Sequence, residues 1–161
     1  AEQLNAMHVK ADYVYHATGT GGTMAGLAAG RKLVGSTEKI RSISVSPKNE
    51  FYLTKVQNLA NQVLDDLRSD VRVDKDKDLY LDQSYYAPGY EQPNEKASEA
   101  IRLLARREGL FVDPVYTGKA LAGLIDHIRT GKVEQGSTVV FWHTGGATAL
   151  FAEQEMLGDI F

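Results

Sequence analysis

The residues whose types and spacing most clearly suggest a binding site form a threonine- and glycine-rich loop near the start of the chain. Within the run HATGTGGTMAGL, this loop consists of Thr18, Gly19, Thr20, Gly21, Gly22 and Thr23. Glycines let backbone N–H groups turn towards one point, and the N-terminus of the helix that follows adds about half a positive charge. Threonine hydroxyls add neutral hydrogen bonds. The loop therefore predicts a site for one phosphate group, and a merely tight strand-to-helix turn is the alternative.

The glycine spacing does not fit the two common nucleotide-binding loops. A G-x-G-x-x-G fingerprint that begins at Gly19 needs a glycine where Met24 stands. The triphosphate loop G-x-x-x-x-G-K fails because Leu27 follows Gly26. A nucleotide-binding module is therefore disfavoured.

Three later stretches also combine aromatic, hydroxyl and glycine residues. They are YYAPGY, DPVYTGK and WHTGG, which contain Tyr90, Tyr116 and Thr144 respectively. Each stretch ends or follows a predicted strand, as the first loop does. In open parallel sheets, ligands bind beyond the carboxyl ends of the strands. The sequence therefore predicts one site that is built by four loops.

Strands and helices must alternate to bring these loops together. The hydrophobic patterns predict five strands, at 13–17, 40–46, 78–86, 110–116 and 137–144. They predict about five helices, at 23–35, 50–67, 95–108, 118–131 and 145–157, and the charged run 70–78 is predicted to be a solvated loop. This alternation predicts an α/β fold with a mainly parallel twisted sheet and helices on both faces.

The composition narrows the class of protein further. The 161 residues are 43% hydrophobic and 24% charged, which is typical of one soluble α/β domain spanning 1–161. A formal net charge of −3 argues against nucleic acid as a partner, and no apolar run approaches the ~20 residues of a membrane span. The absence of cysteine fits a cytoplasmic location.

The motifs HATGTGGTMAGLAAG, APGYEQPN, DPVYTGKALAGLID and WHTGGATALFA occur in this order with these gaps. Together they resemble the C-terminal half of the D-cysteine desulfhydrase and 1-aminocyclopropane-1-carboxylate deaminase family. The resemblance covers nearly the whole chain. It implies pyridoxal 5'-phosphate as cofactor, and it implies the larger part of the fold type II architecture that tryptophan synthase β represents.

The resemblance also implies roles for individual residues. The loop from Thr18 to Thr23 would hold the cofactor phosphate. Tyr116 would pack beside the pyridine ring and reach the substrate, and Tyr90 would lie at the substrate end of the pocket. The hydroxyl of Thr144 would bond to the pyridine nitrogen. Thr117 and Gly145 would complete the cofactor site.

The lysine that forms the Schiff base in this family lies upstream of the phosphate loop, in a part that has no counterpart in this sequence. Lys119 is the one lysine inside a motif, and its position at the first turn of a helix favours a role in ordering the adjacent loop. We therefore expect the chain to be a fragment of a longer protein, without the N-terminal segment and the smaller domain, and to be inactive alone.

Thr117 favours one activity within the family. DPVYTGK resembles the D-cysteine desulfhydrases, whereas the cyclopropane-opening deaminases resemble DPVYEGK. The resemblance thus implies α,β-elimination of a small D-amino acid such as D-cysteine, in a full-length homodimer. Ring-opening deamination and a sulfo-lyase acting on a cysteine-like substrate are the alternatives. A catalytically dead binding module of the same fold is the non-enzyme alternative.

Overall fold

The computed structural model describes residues 2–152. In it, the alternating aromatic and β-branched residues around Tyr15 form an inner strand of a parallel sheet. The described strands are β1 (Tyr13–Thr18), β2 (Lys39–Ser44), β3 (Leu81–Asp82) and β4 (Val139–Phe141). Their order across the sheet is β3-β2-β1-β4, and all pairings are parallel. The carboxyl ends of all described strands therefore meet at one edge of the sheet.

Seven described helices connect or flank these strands. They are α1 (Glu2–Ala6), α2 (Gly22–Val34), α3 (Tyr52–Asp66), α4 (Lys75–Asp78), α5 (Glu95–Glu108), α6 (Thr117–Arg129) and α7 (Ala149–Ala152). The ends of α5 follow local chemistry, because the Asn94 side chain accepts a hydrogen bond from the N–H of Ala97 and Gly109 ends the helix at a φ of 67°. None of the helices within residues 2–152 is both long and apolar enough to cross a bilayer.

The sheet is covered on both faces, as the sequence predicted. Tyr13, Tyr15 and Ala17 of β1 are buried in one core with residues of α5 and α6. A second core joins α2 to α3 through residues such as Met24 and Val56. The pair α5 and α6 and the pair α2 and α3 therefore pack on opposite sides of β1 and flank its carboxyl end.

The four long helices predicted between residues 23 and 131 are present with ends within two residues of the prediction. Two strands are much shorter than predicted. Within 78–86 only Leu81–Asp82 form a strand, and within 137–144 only Val139–Phe141 do. The charged run 70–78 contains the short helix α4, whose Asp78 forms ion pairs with Arg31 and Lys32, so this run is not simply a solvated loop. Residues 153–157 of the last predicted helix lie outside the described residues.

The prediction of a strand at 110–116 is wrong. The Asp113 carboxylate accepts hydrogen bonds from the N–H groups of Val115, Tyr116 and Thr117, with N···O distances of 2.7–2.8 Å. These amides are therefore directed towards one side chain and not towards a neighbouring strand. The segment turns and enters α6, and the described sheet has four strands instead of five.

Candidate functional site

A cavity of about 820 Å³ opens at the carboxyl ends of the strands. Its lining includes every residue of the first loop, together with Tyr90, Tyr116, Thr144 and Gly145. The four predicted loops therefore meet at one place. The lining also contains Ser46, Lys48, Tyr52, Lys55, Asp113 and Gly146, which the sequence did not single out.

The threonine-glycine loop joins β1 directly to α2, and we call residues 18–23 the cup. Gly21 has a φ of 102°, and a Cβ atom at this position would lie 2.8 Å from Cγ2 of Val56. Only glycine fits this backbone and this close contact. No described side chain caps the N-terminus of α2, and its first turn carries no acidic residue. The amide groups of a 13-residue helix are thus left free to face an anion.

Tyr52, the first residue of α3, supports the cup. Its hydroxyl lies 2.8 Å from the hydroxyl of the buried Thr18, and 3.3 Å from a Cβ placed at Gly21. Burial raises the pKa of Tyr52, so this phenol keeps its proton at neutral pH. The Thr18 hydroxyl is therefore hydrogen-bonded to α3, and this bond holds the end of β1 against that helix.

Two tyrosines meet in the cavity lining. The hydroxyl groups of Tyr90 and Tyr116 are hydrogen-bonded, and their rings pack edge to face with centroids 5.8 Å apart. This hydrogen bond is the main cause that raises the pKa of Tyr90 to about 12. Cε1 of Tyr116 lies 3.5 Å from a Cβ placed at Gly19, so the Tyr116 ring stands beside the cup. The pair links the cup to the loop that carries Tyr90.

Asp113 organises this part of the site from within. It is almost completely buried, and besides three backbone amides it accepts a hydrogen bond of 2.6 Å from the Thr117 hydroxyl. A Cβ atom at Gly146 would lie 2.7 Å from its Oδ1, so the WHTGG loop packs directly on this carboxylate. Aspartate side chains often accept a hydrogen bond from the backbone N–H two residues later, as Asp113 does from Val115, and that signal was present in DPVYTGK.

The structure does not bring Thr117 to the cavity. Its side chain is fully buried, donates to Asp113 and accepts a hydrogen bond of 2.9 Å from the Asp113 N–H. Thr117 therefore holds the turn before α6 together and does not contribute to the lining. Its predicted role in binding the cofactor remains a prediction without a contact to support it.

Lys119 is also fully buried, and its ammonium group reaches the loop that carries Tyr90. It donates hydrogen bonds to the carbonyl oxygens of Gly89, at 2.7 Å, and Tyr86, at 3.3 Å. Burial lowers its pKa. The sequence predicted that Lys119 orders the loop next to it, whereas its hydrogen bonds order the loop that carries Tyr90.

Comparisons with known proteins identify relatives of this arrangement. The sequence profile of the pyridoxal-phosphate dependent enzymes matches residues 1–145. The crystal structure of an ACC deaminase homologue superposes with a TM-score of 0.82 at 34% sequence identity. The match covers 99% of this chain and 47% of that chain, so the chain spans about half the length of that solved structure.

Proposed function

The chain belongs to the pyridoxal-phosphate dependent enzymes, and from this we propose that it forms the cofactor-holding part of a D-cysteine desulfhydrase-like lyase. The proposed reaction is an α,β-elimination in which D-cysteine and water give pyruvate, ammonia and hydrogen sulfide. We further propose that the polypeptide completing the fold supplies the lysine that carries the cofactor covalently. This half alone would then bind the cofactor without turnover.

The described residues fit the cofactor of the family. The cup offers the uncapped N-terminus of α2, which suits a phosphate group, and close packing of Gly21 on Val56 holds its backbone in place. The ring of Tyr116 stands beside the cup, where it can pack against an aromatic ring. The residues that would hold the cofactor are therefore the cup, Tyr116, Thr144 and Gly145.

Each side chain has a distinct part in the proposed mechanism. When bound, the cofactor withdraws electrons from the substrate α-carbon. The cup would bind and orient the phosphate, and Thr144, which lines the same cavity, would offer a neutral hydroxyl to the ring nitrogen. The hydroxyl groups of Tyr116 and Tyr90 are hydrogen-bonded to each other, and this bond raises the pKa of Tyr90. We assign to Tyr116 the proton that the departing sulfur of the substrate requires.

The observation that carries the proposal is the state of Asp113, the one carboxylate in the described cavity lining. Its oxygens accept four hydrogen bonds from Val115, Tyr116 and Thr117, so none is left to pair with a ring nitrogen. A neutral partner such as Thr144 holds that nitrogen protonated less strongly than a carboxylate does. A weaker electron sink supports elimination of a good leaving group such as sulfide.

The 34% identity to the ACC deaminase homologue favours a second candidate, the ring-opening deamination of 1-aminocyclopropane-1-carboxylate. In the resemblance noted above, those deaminases carry a glutamate where Thr117 stands. Thr117 is buried and bonded to Asp113, and this arrangement supports elimination over ring opening.

The test uses the natural protein that contains this sequence, loaded with pyridoxal phosphate. We expect sulfide and pyruvate from D-cysteine, with a greater kcat/KM than for ammonia release from 1-aminocyclopropane-1-carboxylate. Tyr116→Phe should lower kcat on D-cysteine by about 100-fold, within the usual contribution of a proton donor. Faster turnover of the cyclopropane substrate would favour the deaminase. Release of sulfite from cysteate would favour a sulfo-lyase, and the absence of any turnover would favour a binding module.

We also propose a homodimer as the assembly of the full-length protein, a small amino acid as its substrate, and the cytoplasm as its location. The absence of cysteine supports the last of these. Analytical ultracentrifugation of the natural protein tests the assembly, and a sedimentation mass of one chain would overturn it.

A further inference from the structure

We propose that Lys48 and Lys55 form a cationic wall of the cup and bind the phosphate dianion of the ligand directly. This inference deepens the proposed cofactor site and rests on it. Both lysines line the cavity, although they come from the segment before α3 and from α3 itself. No sequence motif links them to the cup.

The position of Lys48 is defined by two contacts. Its Nζ donates a hydrogen bond of 2.5 Å to the hydroxyl of Ser46, and it lies 5.2 Å from the centroid of the Tyr52 ring. The hydroxyl of the same tyrosine contacts Thr18 and lies against Gly21. Lys48 thus stands over the residue that supports the cup, at the phosphate end of the cavity.

Lys48 and Lys55 have no carboxylate partner among the described residues, in contrast to three other lysines of the chain. Lys32, Lys39 and Lys75 each form an ion pair with a carboxylate. Within residues 2–152, neither Lys48 nor Lys55 has a carboxylate within ion-pair distance. The carboxylate of Asp113, which lines the same cavity, already accepts four hydrogen bonds. The cavity therefore presents two positive charges that no described side chain neutralises.

The charge of Lys55 acts on Lys48 in the cavity lining. Burial, and next the charge of Lys55, lower the pKa of Lys48. An anion bound between the ammonium groups and the N-terminus of α2 would offset both effects, because a negative charge favours the charged form of each lysine. A phosphate monoester carries a charge of about −1.5 to −2 at pH 7, which two lysines and a helix terminus match. A single substrate carboxylate would neutralise only half of this charge.

The experiment measures binding of pyridoxine 5'-phosphate, which has the ring and the phosphate but no aldehyde to react with lysines. Isothermal titration of the apo form of the natural protein that contains this sequence gives its affinity without any turnover. We expect Lys48→Met to weaken binding about tenfold and Lys55→Met by a smaller factor, as loss of a charge-assisted contact does. Lys132→Met, beyond the far end of α6, should leave affinity unchanged, and pyridoxine without phosphate should not distinguish Lys48→Met from wild type.

A second measurement uses the unmodified protein and so does not depend on folding of the variants. Inorganic phosphate should protect Lys48 and Lys55 from acetylation, detected by mass spectrometry, while the exposed Lys132 reacts at an unchanged rate. The proposal is overturned if phosphate protects neither lysine, if Lys48→Met binds as wild type does, or if the wild-type chain binds no phosphate ligand. Borohydride trapping of pyridoxal phosphate on Lys48 would overturn it too, since Lys48 would then meet the aldehyde. None of these outcomes depends on which amino acid the enzyme uses, so failure here and failure of the proposed activity are separable.

Discussion

The Nζ atom of Lys119 lies 2.7 Å from the carbonyl oxygen of Gly89, so a buried ammonium group joins α6 to the loop that carries Tyr90. The same nitrogen reaches the carbonyl oxygen of Tyr86. Lys119 is three residues from Tyr116 in the chain, and Gly89 is next to Tyr90. One lysine thus joins the two segments whose tyrosines meet in the cavity.

Replacement of Lys119 by methionine should loosen this connection. The carbonyl oxygens of Tyr86 and Gly89 would lose their buried donor, which costs about 1–3 kcal/mol in free energy of unfolding. Urea denaturation measures that loss. Hydrogen exchange should also speed up at the amides of residues 86–91 more than in α5, because the loop loses its anchor. Lys132→Met is the matched control for loss of an α6-flanking charge, and equal exchange in both variants would contradict the assignment.

Gly21 in the cup and Gly26 in α2 offer a matched pair of substitutions. Gly21→Ala places a Cβ atom 2.8 Å from Val56 on a backbone with φ of 102°, whereas at Gly26, outside the cavity lining, an added Cβ meets no atom within 4 Å. We expect Gly21→Ala to weaken binding of pyridoxine 5'-phosphate by about 5- to 150-fold, the effect of about 1–3 kcal/mol of backbone strain. Gly26→Ala should change affinity by less than about threefold. Similar losses in both variants would argue against a cup shaped by Gly21.

Local sequence chemistry predicted the parts of the molecule that depend on near neighbours. The boundaries of α5 follow from Asn94 and Gly109, and the cup follows from glycines at the junction of a strand and a helix. The error at 110–116 has a local cause as well. Hydrophobic residues there suit a strand, but the Asp113 side chain offers the following amides a nearer acceptor than a neighbouring strand would.

The contacts of Lys48 and Lys119 that the sequence did not predict join distant segments of the chain. Lys48 reaches the cavity because Tyr52 packs on Thr18, 34 positions earlier in the chain. Lys119 finds its acceptor on Gly89, 30 positions earlier. Neither pairing leaves a periodic pattern in the sequence, since both arise only after the helices pack on the sheet. The positions of these cations could therefore not be predicted from the sequence alone.

Thr117 can be tested separately from its predicted part in cofactor binding. Thr117→Val removes the hydroxyl that donates to Asp113 and accepts from its N–H, so the free energy of unfolding should fall by about 1–3 kcal/mol. Thr117→Ser keeps both hydrogen bonds and should retain most of the stability. If binding of pyridoxine 5'-phosphate falls in both variants while only valine lowers stability, Thr117 contacts the ligand after all.

Acidification should destabilise the chain through His16, a completely buried residue of β1 that lies opposite Ser42 of β2. The Ala17 carbonyl accepts a hydrogen bond from Nδ1 at 2.8 Å, so Nδ1 carries the proton and Nε2 accepts from the Ser42 hydroxyl. The neutral ring is thus fully bonded. Burial lowers the pKa of His16 from 6.5 to about 4, which makes the charged ring costly in the folded state.

Because the folded pKa lies below the unfolded one, the unfolded chain binds more protons between these two values. The stability from neutral His16 is complete above pH 6.5 and is lost as the pH falls towards about 4. The expected loss in free energy of unfolding is about 3 kcal/mol, and the buried His127, whose pKa burial also lowers, acts in the same direction. Urea denaturation across this pH range measures the loss, and NMR titration of the His16 ring assigns it. A stability that stays constant from pH 7 to pH 5 while His16 gains a proton would contradict this origin, because a proton taken up at equal cost in both states cannot alter the folding equilibrium.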